Sequence, residues 1–456
     1  YYNVTGTNNV AIGRDSMGGA SGESNSNNTA VGYTSLMAIT TAAGNTAIGY
    51  AAGDSITTSG YNALLGYQAG AGLAGGSGTN VAIGYQPLYN GTANSYVVAI
   101  GSRAGYYSTA NNNVYVGANA GRESRAGGSQ TYIGNSAGYY ATGSYNTFVG
   151  QDAGKGGTTS APYSSGINNT ALGYQALAGF TTGTYNVAIG YQAGQDSTTS
   201  TFNVLIGGLA GTNITSGGNN ILIGVNAGTN MTDTQESTII GSFAGLGINS
   251  TDANGSTGLG YEVLRTVTSG GSNTALGYKA LSTHVTGHSN TAIGYQAMYN
   301  TDAGSNSNDS DHNIAIGVNS MGGTWANTKS ENNIAIGNNS LDAGLDGAAY
   351  NIALGNYVFS NLTSGTSNIG IGWAAAENAT TATDNIAIGK QAMQKHTTGA
   401  RNIAIGSNAM DDTDAGSTSL GSGDNIFIGS HAGAGTWTNV LSQYNIGIGT
   451  NTLDGG

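Results

Sequence analysis

Cysteine is absent from this chain of 456 residues, and proline occurs only twice. Without thiols, no disulfide can staple the fold and no thiolate metal site can form, which suits an extracellular life as well as a reducing one. Charge is scarce too: charged residues make up 7% of the chain, and 11 Lys and Arg against 23 Asp and Glu leave a net charge of −12. No basic cluster offers the footprint that a phosphate backbone requires, which argues against nucleic-acid partners. No stretch approaches the ~20 apolar residues of a membrane span, so no membrane insertion is expected of this segment. The chain opens on "YYNVTGTNNV", without an initiator Met or a signal-peptide pattern, and stops soon after its last motif. It reads as a piece of a longer protein, or a processed one.

What the chain has in abundance is glycine, 79 residues of it, and one phrase written again and again. "NVAIGYQAG" at 186–194 returns as "NTAIGYAAG" from Asn45, "NALLGYQAG" from Asn62 and "NTAIGYQAM" from Asn290. Aligned on its first residue, the phrase has 25 copies, and 13 of the 24 intervals are 17 residues long. The fourth residue after each start is always Gly, and the one before that Gly is always Ile, Leu or Val. The start is Asn in 21 copies, the exceptions being Val97, Gln130, Ser237 and Ser256. Asn45 with Gly49, Asn62 with Gly66, Asn186 with Gly190, Asn290 with Gly294 and Asn402 with Gly406 typify these structural pairs.

Asn, a β-branched residue, a small residue, an aliphatic residue and Gly make a short strand bounded by turn formers. Such a unit cannot bury a core alone, whereas stacked copies can. The expected fold is therefore all-β, a parallel β-solenoid of about 25 coils of ~17 residues, running through 1–456 as a single continuous repeat domain. The fixed Gly answers a sharp turn or a close backbone approach, and the fixed Asn forms a ladder between coils or caps the turn. Positions one and three after the Asn are expected to point into the coil. Position two, Ala in most copies and Leu64, Tyr115, Tyr132, Phe148, Leu205, Leu222, Ile239 or Phe427 in others, then faces outward yet is apolar. A strand apolar on both faces is covered on both. Other chains are the favoured cover, another wall of the same coil the alternative.

The leading Asn and repeated "AIGxxA" resemble the left-handed parallel β-roll of trimeric autotransporter adhesin heads and the related repeats of phage tail-fibre proteins. The resemblance spans residues 9–453. It implies a left-handed, homotrimeric, extracellular fibre segment on a cell or virion surface, binding a glycan or protein receptor.

From residue 290 the intervals define a six-coil super-repeat of 112 residues, with protruding loops at 299–312, 321–332, 411–424 and 433–444. Asp302, Asp309 and Asp311, and in the second copy Asp412, Asp414 and Asp424, either hold calcium through carboxylate oxygens or line solvated acidic loops. Trp325 and its equivalent Trp437 are candidates for receptor contact, as is Trp373; the alternative for the pair is a lid over its own loop. Tyr follows the Gly at 33, 50, 67, 85, 174, 191, 261, 278 and 295, which predicts a stacked ladder, for packing rather than carbohydrate binding.

Enzymatic patterns are present only by coincidence. "GNSAG" at 134–138 fits a nucleophile elbow and "GAGLAG" at 70–75 a dinucleotide loop, yet both fall on repeat glycines with no helix following. The five histidines, His284, His288, His312, His396 and His431, are scattered, and no acid–base pair is evident. Catalysis is not expected, and no cofactor is required. An ice- or mineral-binding face needs regular ranks of Thr, but Thr at position one gives way to Ile after residue 313. The functional reading is an extracellular adhesive or structural fibre presenting loops for attachment. The alternative is a self-assembling filament of rods stacked end to end.

Overall fold

A computed structural model of the chain describes residues 5–19, 24–92, 94–161, 163–301, 309–326, 328–412, 421–435 and 442–454. The chain divides into two compact units, Tyr1–Leu222 and Ile223–Gly456, each a β-solenoid of the same repeat. The division falls inside the repeat Ile221–Ile223 and not at a change of composition. Among the described residues there are 25 strands of three residues each, and a single short 3-10 turn at Thr251–Ala253.

Within each unit, neighbouring strands pair in parallel with no register shift. Val10, Ala11 and Ile12 face Thr29, Ala30 and Val31 in the first unit, and Ile386, Ala387 and Ile388 face Ile403, Ala404 and Ile405 in the second. Register is fixed because like positions meet like, and a slip of one residue would turn the buried middle residue outward. A second wall forms just before the repeat Asn, where parallel bridges join Ser26 to Ala43 and Thr383 to Ala400.

The facing of the strands reverses the expectation. The middle residue points into the coil: Ala30, Ala47, Ala188 and Ala387 are fully buried within the single chain. Positions one and three point outward, as the patterns at Thr46–Ile48 and Val187–Ile189 show. The physical reason is coil width. A coil of about 17 residues is narrow, so the strand's small residue faces the opposite wall, where a second small residue such as Ala193 or Ala392 is also buried. Ser35 Oγ donates across this gap to the Ala47 carbonyl at 2.9 Å. The apolar middle row is thus covered by another wall of its own coil, and needs no second chain to cover it.

Larger interior residues are accommodated by a trade within the coil. All eight copies with a residue larger than Ala at position two carry Gly at position eight: Gly70, Gly121, Gly138, Gly154, Gly211, Gly228, Gly245 and Gly433. Where position two is Ala or Gly, position eight is often a buried Leu, Met or Phe, as at Leu36, Leu177, Met298, Phe359 and Met393. Interior volume is thereby held nearly constant, as close packing demands.

The repeat Asn does both of the things expected of it. Asn186 Oδ1 accepts the backbone N–H of Asn203 at 3.1 Å, and Asn186 Nδ2 donates to the Ser200 carbonyl at 2.8 Å. The same pattern recurs in the second unit at Asn385, whose Oδ1 accepts from Asn402 N–H at 2.9 Å. These amides are buried and fully engaged, so the ladder ties coil to coil while pinning each turn. The repeat Gly has both of its expected reasons too. Gly190 has φ +135°, and a Cβ there would stand 2.5 Å from the Gly207 carbonyl oxygen of the next coil.

Candidate interaction surface

With the middle residue turned in, the outward rows at positions one and three form a continuous uncharged face on each unit, largely aliphatic but with Thr at position one in several strands such as Thr46–Ile48 and Thr274–Leu276. None of the 25 strands carries a charged residue. Leu65 and Leu172 are nearly half exposed, and Ile336, Ile371 and Ile428 about two-fifths. The face becomes purely aliphatic from Ile314 onward, where Ile takes position one in every strand. Scattered exposed aliphatics are ordinary on a protein surface; an uncharged face repeated coil after coil is not.

Two aromatic rows flank this face. The row after the repeat Gly stacks as expected: Tyr33, Tyr50, Tyr67 and Tyr85 have ring centroids 5.5, 5.0 and 5.4 Å apart. Tyr261, Tyr278 and Tyr295 repeat the arrangement in the second unit at 5.5 and 5.2 Å. Rings stacked this closely cover one another's faces and offer edges and hydroxyl groups outward, so a sugar ring cannot lie flat on them. The first ladder ends on cations, with the Arg14 and Arg103 guanidinium carbons each 5.9 Å from the ring centroids of Tyr33 and Tyr85. Trp373 belongs to this same row; its ring is exposed, with Lys390 Nζ 5.6 Å from it.

The second row was not anticipated. It occupies the residue just before the repeat Asn, where Tyr61, Tyr96, Tyr145, Tyr350 and Tyr444 are the most exposed aromatic side chains and Tyr185 stacks on Phe202 at 5.0 Å. These residues have φ near +60°, a conformation in which the side chain swings outward from the turn. Their irregular recurrence hid them, since Gly, Asn and Ser share the position, as do Thr79, Glu236, His312, Asp384, Arg401 and Asp424.

The loop residues are placed differently from expectation. Trp325 is completely buried in the single chain, with its backbone N–H bonded to the Asn300 carbonyl at 3.1 Å, so its ring is not presented for contact there. Trp437, Asp302 and Asp414 lie outside the described residues. The remaining carboxylates hold protein donors. Asp309 accepts from Thr286 at 2.8 Å, and Asp412 lies 3.3 Å from Lys395. Burial pushes the Asp311 carboxyl up, but the His288 N–H and Lys329 outweigh it and hold the group below the usual range. Asp424 makes a two-pronged pair with Arg401 at 2.6 and 2.9 Å, which lowers its carboxyl. Among the described residues, no three His, Cys, Asp or Glu side chains come close enough to hold a metal ion, so the calcium reading gains no support there.

Two histidines prove related. His284 and His396 are separated by the 112-residue super-repeat, both are buried, and each has Nε2 3.1 Å from the amide nitrogen of a repeat Asn, Asn290 or Asn402. Each fills the interior position that Ile39, Ile56 or Leu362 takes in other coils. Burial pushes the His284 imidazole down to about 4, so it is neutral in the folded chain. Ser136 of "GNSAG" sits in an ordinary turn at φ 55°, its hydroxyl bonded to Asn135 at 3.0 Å.

Compared with known proteins, the chain matches no protein family and no curated sequence. No helix among the described residues is long and apolar enough to cross a membrane.

Proposed function

We propose that this chain is a segment of an extracellular attachment fibre, in which copies lie side by side through the outward strand face. The observation that carries this reading is the uncharged face at positions one and three, purely aliphatic from Ile314 onward, with its flanking aromatic rows. Twelve strands lie wholly within each unit. At ~4.8 Å per strand and a width of ~15 Å including the rows, the face offers roughly 800 Å² per unit. That matches what one partner contributes to a stable protein interface. A ladder of in-register strands is best complemented by another of identical repeat, which favours a further copy of the chain. A three-chain bundle is the arrangement we propose.

The test is the native mass by sedimentation across a range of concentrations. A constant three-chain mass, falling to one chain in an Ile386→Lys, Ile403→Lys variant, supports the reading. A single-chain mass for the unaltered protein overturns it. Mass that grows without limit with concentration would favour the filament instead.

A further inference from the structure

The strand face is not the only organised surface. In the first unit a second one is centred nine to twelve residues past the repeat start, and its chemistry differs; Arg103, at position six beside Tyr85, lies at its margin within electrostatic reach of Tyr106. Tyr89, Tyr106, Arg122, Tyr139 and Lys155 occupy the ninth position in five successive coils. Tyr89 and Tyr106 stack at 5.1 Å. The Arg122 guanidinium carbon sits between two rings, 5.7 Å from Tyr106 and 5.4 Å from Tyr139, and it donates to the Tyr139 hydroxyl. Arg125 lies 4.3 Å over Tyr107 and 5.6 Å from Tyr163. Beneath them the nearly buried Glu123 anchors Arg125 at 2.8 Å and Arg122 at 3.8 Å.

Charge sets this surface apart from the rest of the chain. Residues 89–155 hold four cations, Arg103, Arg122, Arg125 and Lys155, against two carboxylates, Glu123 and Asp152. Everywhere else seven cations face 21 carboxylates. Both of the local carboxylates are already paired, Asp152 with Lys155 at 3.2 Å. Arg103 and Arg125 are exposed, and the tyrosines around them are half-buried, with the Tyr139 hydroxyl accepting from Arg122.

The geometry points to a binding site for an acidic polysaccharide, whose uronate carboxylates or sulfate esters meet Arg103, Arg122 and Arg125 while its hydroxyls meet the tyrosine hydroxyls. Guanidinium groups recognise such anions with paired, charge-assisted hydrogen bonds. The rise of one coil is close to the length of one sugar residue, so successive sugars meet successive coils. Single-stranded nucleic acid fits poorly, because its bases need open ring faces and these faces are filled by other rings and by guanidinium groups. The inference rests on the attachment reading and supplies its receptor chemistry.

The experiment passes the full chain over immobilised polygalacturonate, heparin and neutral dextran at increasing salt. Retention on one or both acidic polymers, weakened by salt, with passage through dextran, is the expected result; which acidic polymer is preferred tells carboxylate from sulfate. An Arg103→Gln, Arg125→Gln variant should bind about tenfold or more weakly while keeping its sedimented mass and a cooperative unfolding transition, with some loss of melting temperature where Glu123 loses Arg125. An Arg265→Gln, Lys395→Gln variant, which loses the same charge elsewhere, should bind as the unaltered chain does. Passage through both acidic columns, equal binding by the Arg103/Arg125 variant, or equal loss in the control variant would overturn the site. Retention on dextran alone would also overturn it while leaving attachment in place. Failure of the side-by-side fibre would appear in the sedimented mass, not on these columns.

Discussion

Gly138 lies flat against the ring of Tyr132, so close that a Cβ would overlap ring carbons. The pair is one case of the trade between positions two and eight that keeps each coil's interior full. Gly138→Ala should therefore destabilise the chain by about 2–4 kcal/mol, through overpacking and a φ of +59°. Adding Tyr132→Ala relieves the clash, and Tyr132→Ala with Gly138→Leu recreates the arrangement of Ala171 with Leu177. Urea unfolding should rank that double variant above either Gly138→Ala or Tyr132→Ala alone.

The repeat Gly makes a sharper contrast. Gly190→Ala drives a Cβ into the neighbouring backbone, whereas a Cβ on Gly208 meets nothing within 4 Å. Thermal unfolding should show a large loss for the first, about 3 kcal/mol or more, and almost none for the second. Equal losses would mean that the close stacking of coils is not what holds Gly at this position.

Asn186→Ala leaves the Asn203 N–H and the Ser200 carbonyl buried without their partners. A loss of about 2–4 kcal/mol is expected, with the first protection lost, in hydrogen exchange, at the amides of the adjoining coil.

Acid should act through His284. Its folded value, about 4, lies below the ordinary 6.5, so protonation favours the unfolded chain. The stability it contributes is complete above pH 6.5 and is lost as pH falls toward 4, to the extent of about 3 kcal/mol. Asp342 acts in the opposite sense, because burial raises its carboxyl to about 6 and acid relieves that cost. His284→Leu, which restores the apolar residue of other coils, should flatten the fall in melting temperature between pH 6.5 and 4, and Asp342→Asn should steepen it.

The period, the short strands, the parallel stacking and the roles of Asn and Gly were all legible, because the Gly is written in all 25 coils and the Asn in 21 of them. The stacked tyrosines after the Gly were legible because they recur in consecutive coils, as at Tyr33, Tyr50, Tyr67 and Tyr85. The facing of the strand was not. Thr, Val and Ile at the outer positions look like a core, and only the narrowness of the coil shows that Ala belongs inside. The Gly138 and Tyr132 relation was present in the sequence as a correlation across copies, visible only when positions two and eight are compared together. The burial of Trp325 depends on an inserted loop that occurs in two copies, too few to set a pattern.

The most direct measurement uses the absence of cysteine, which leaves any introduced thiol the only one in the chain. Ala387→Cys and Ile388→Cys place that thiol on opposite faces of one strand. In dilute protein carrying Ile386→Lys and Ile403→Lys, which is expected to hold it as a single chain, the thiol at 388 should react rapidly with a water-soluble maleimide, whereas in the three-chain assembly it should be protected. The thiol at 387 should stay protected throughout. Rapid labelling at 387 with protection at 388 in dilute protein would contradict the account.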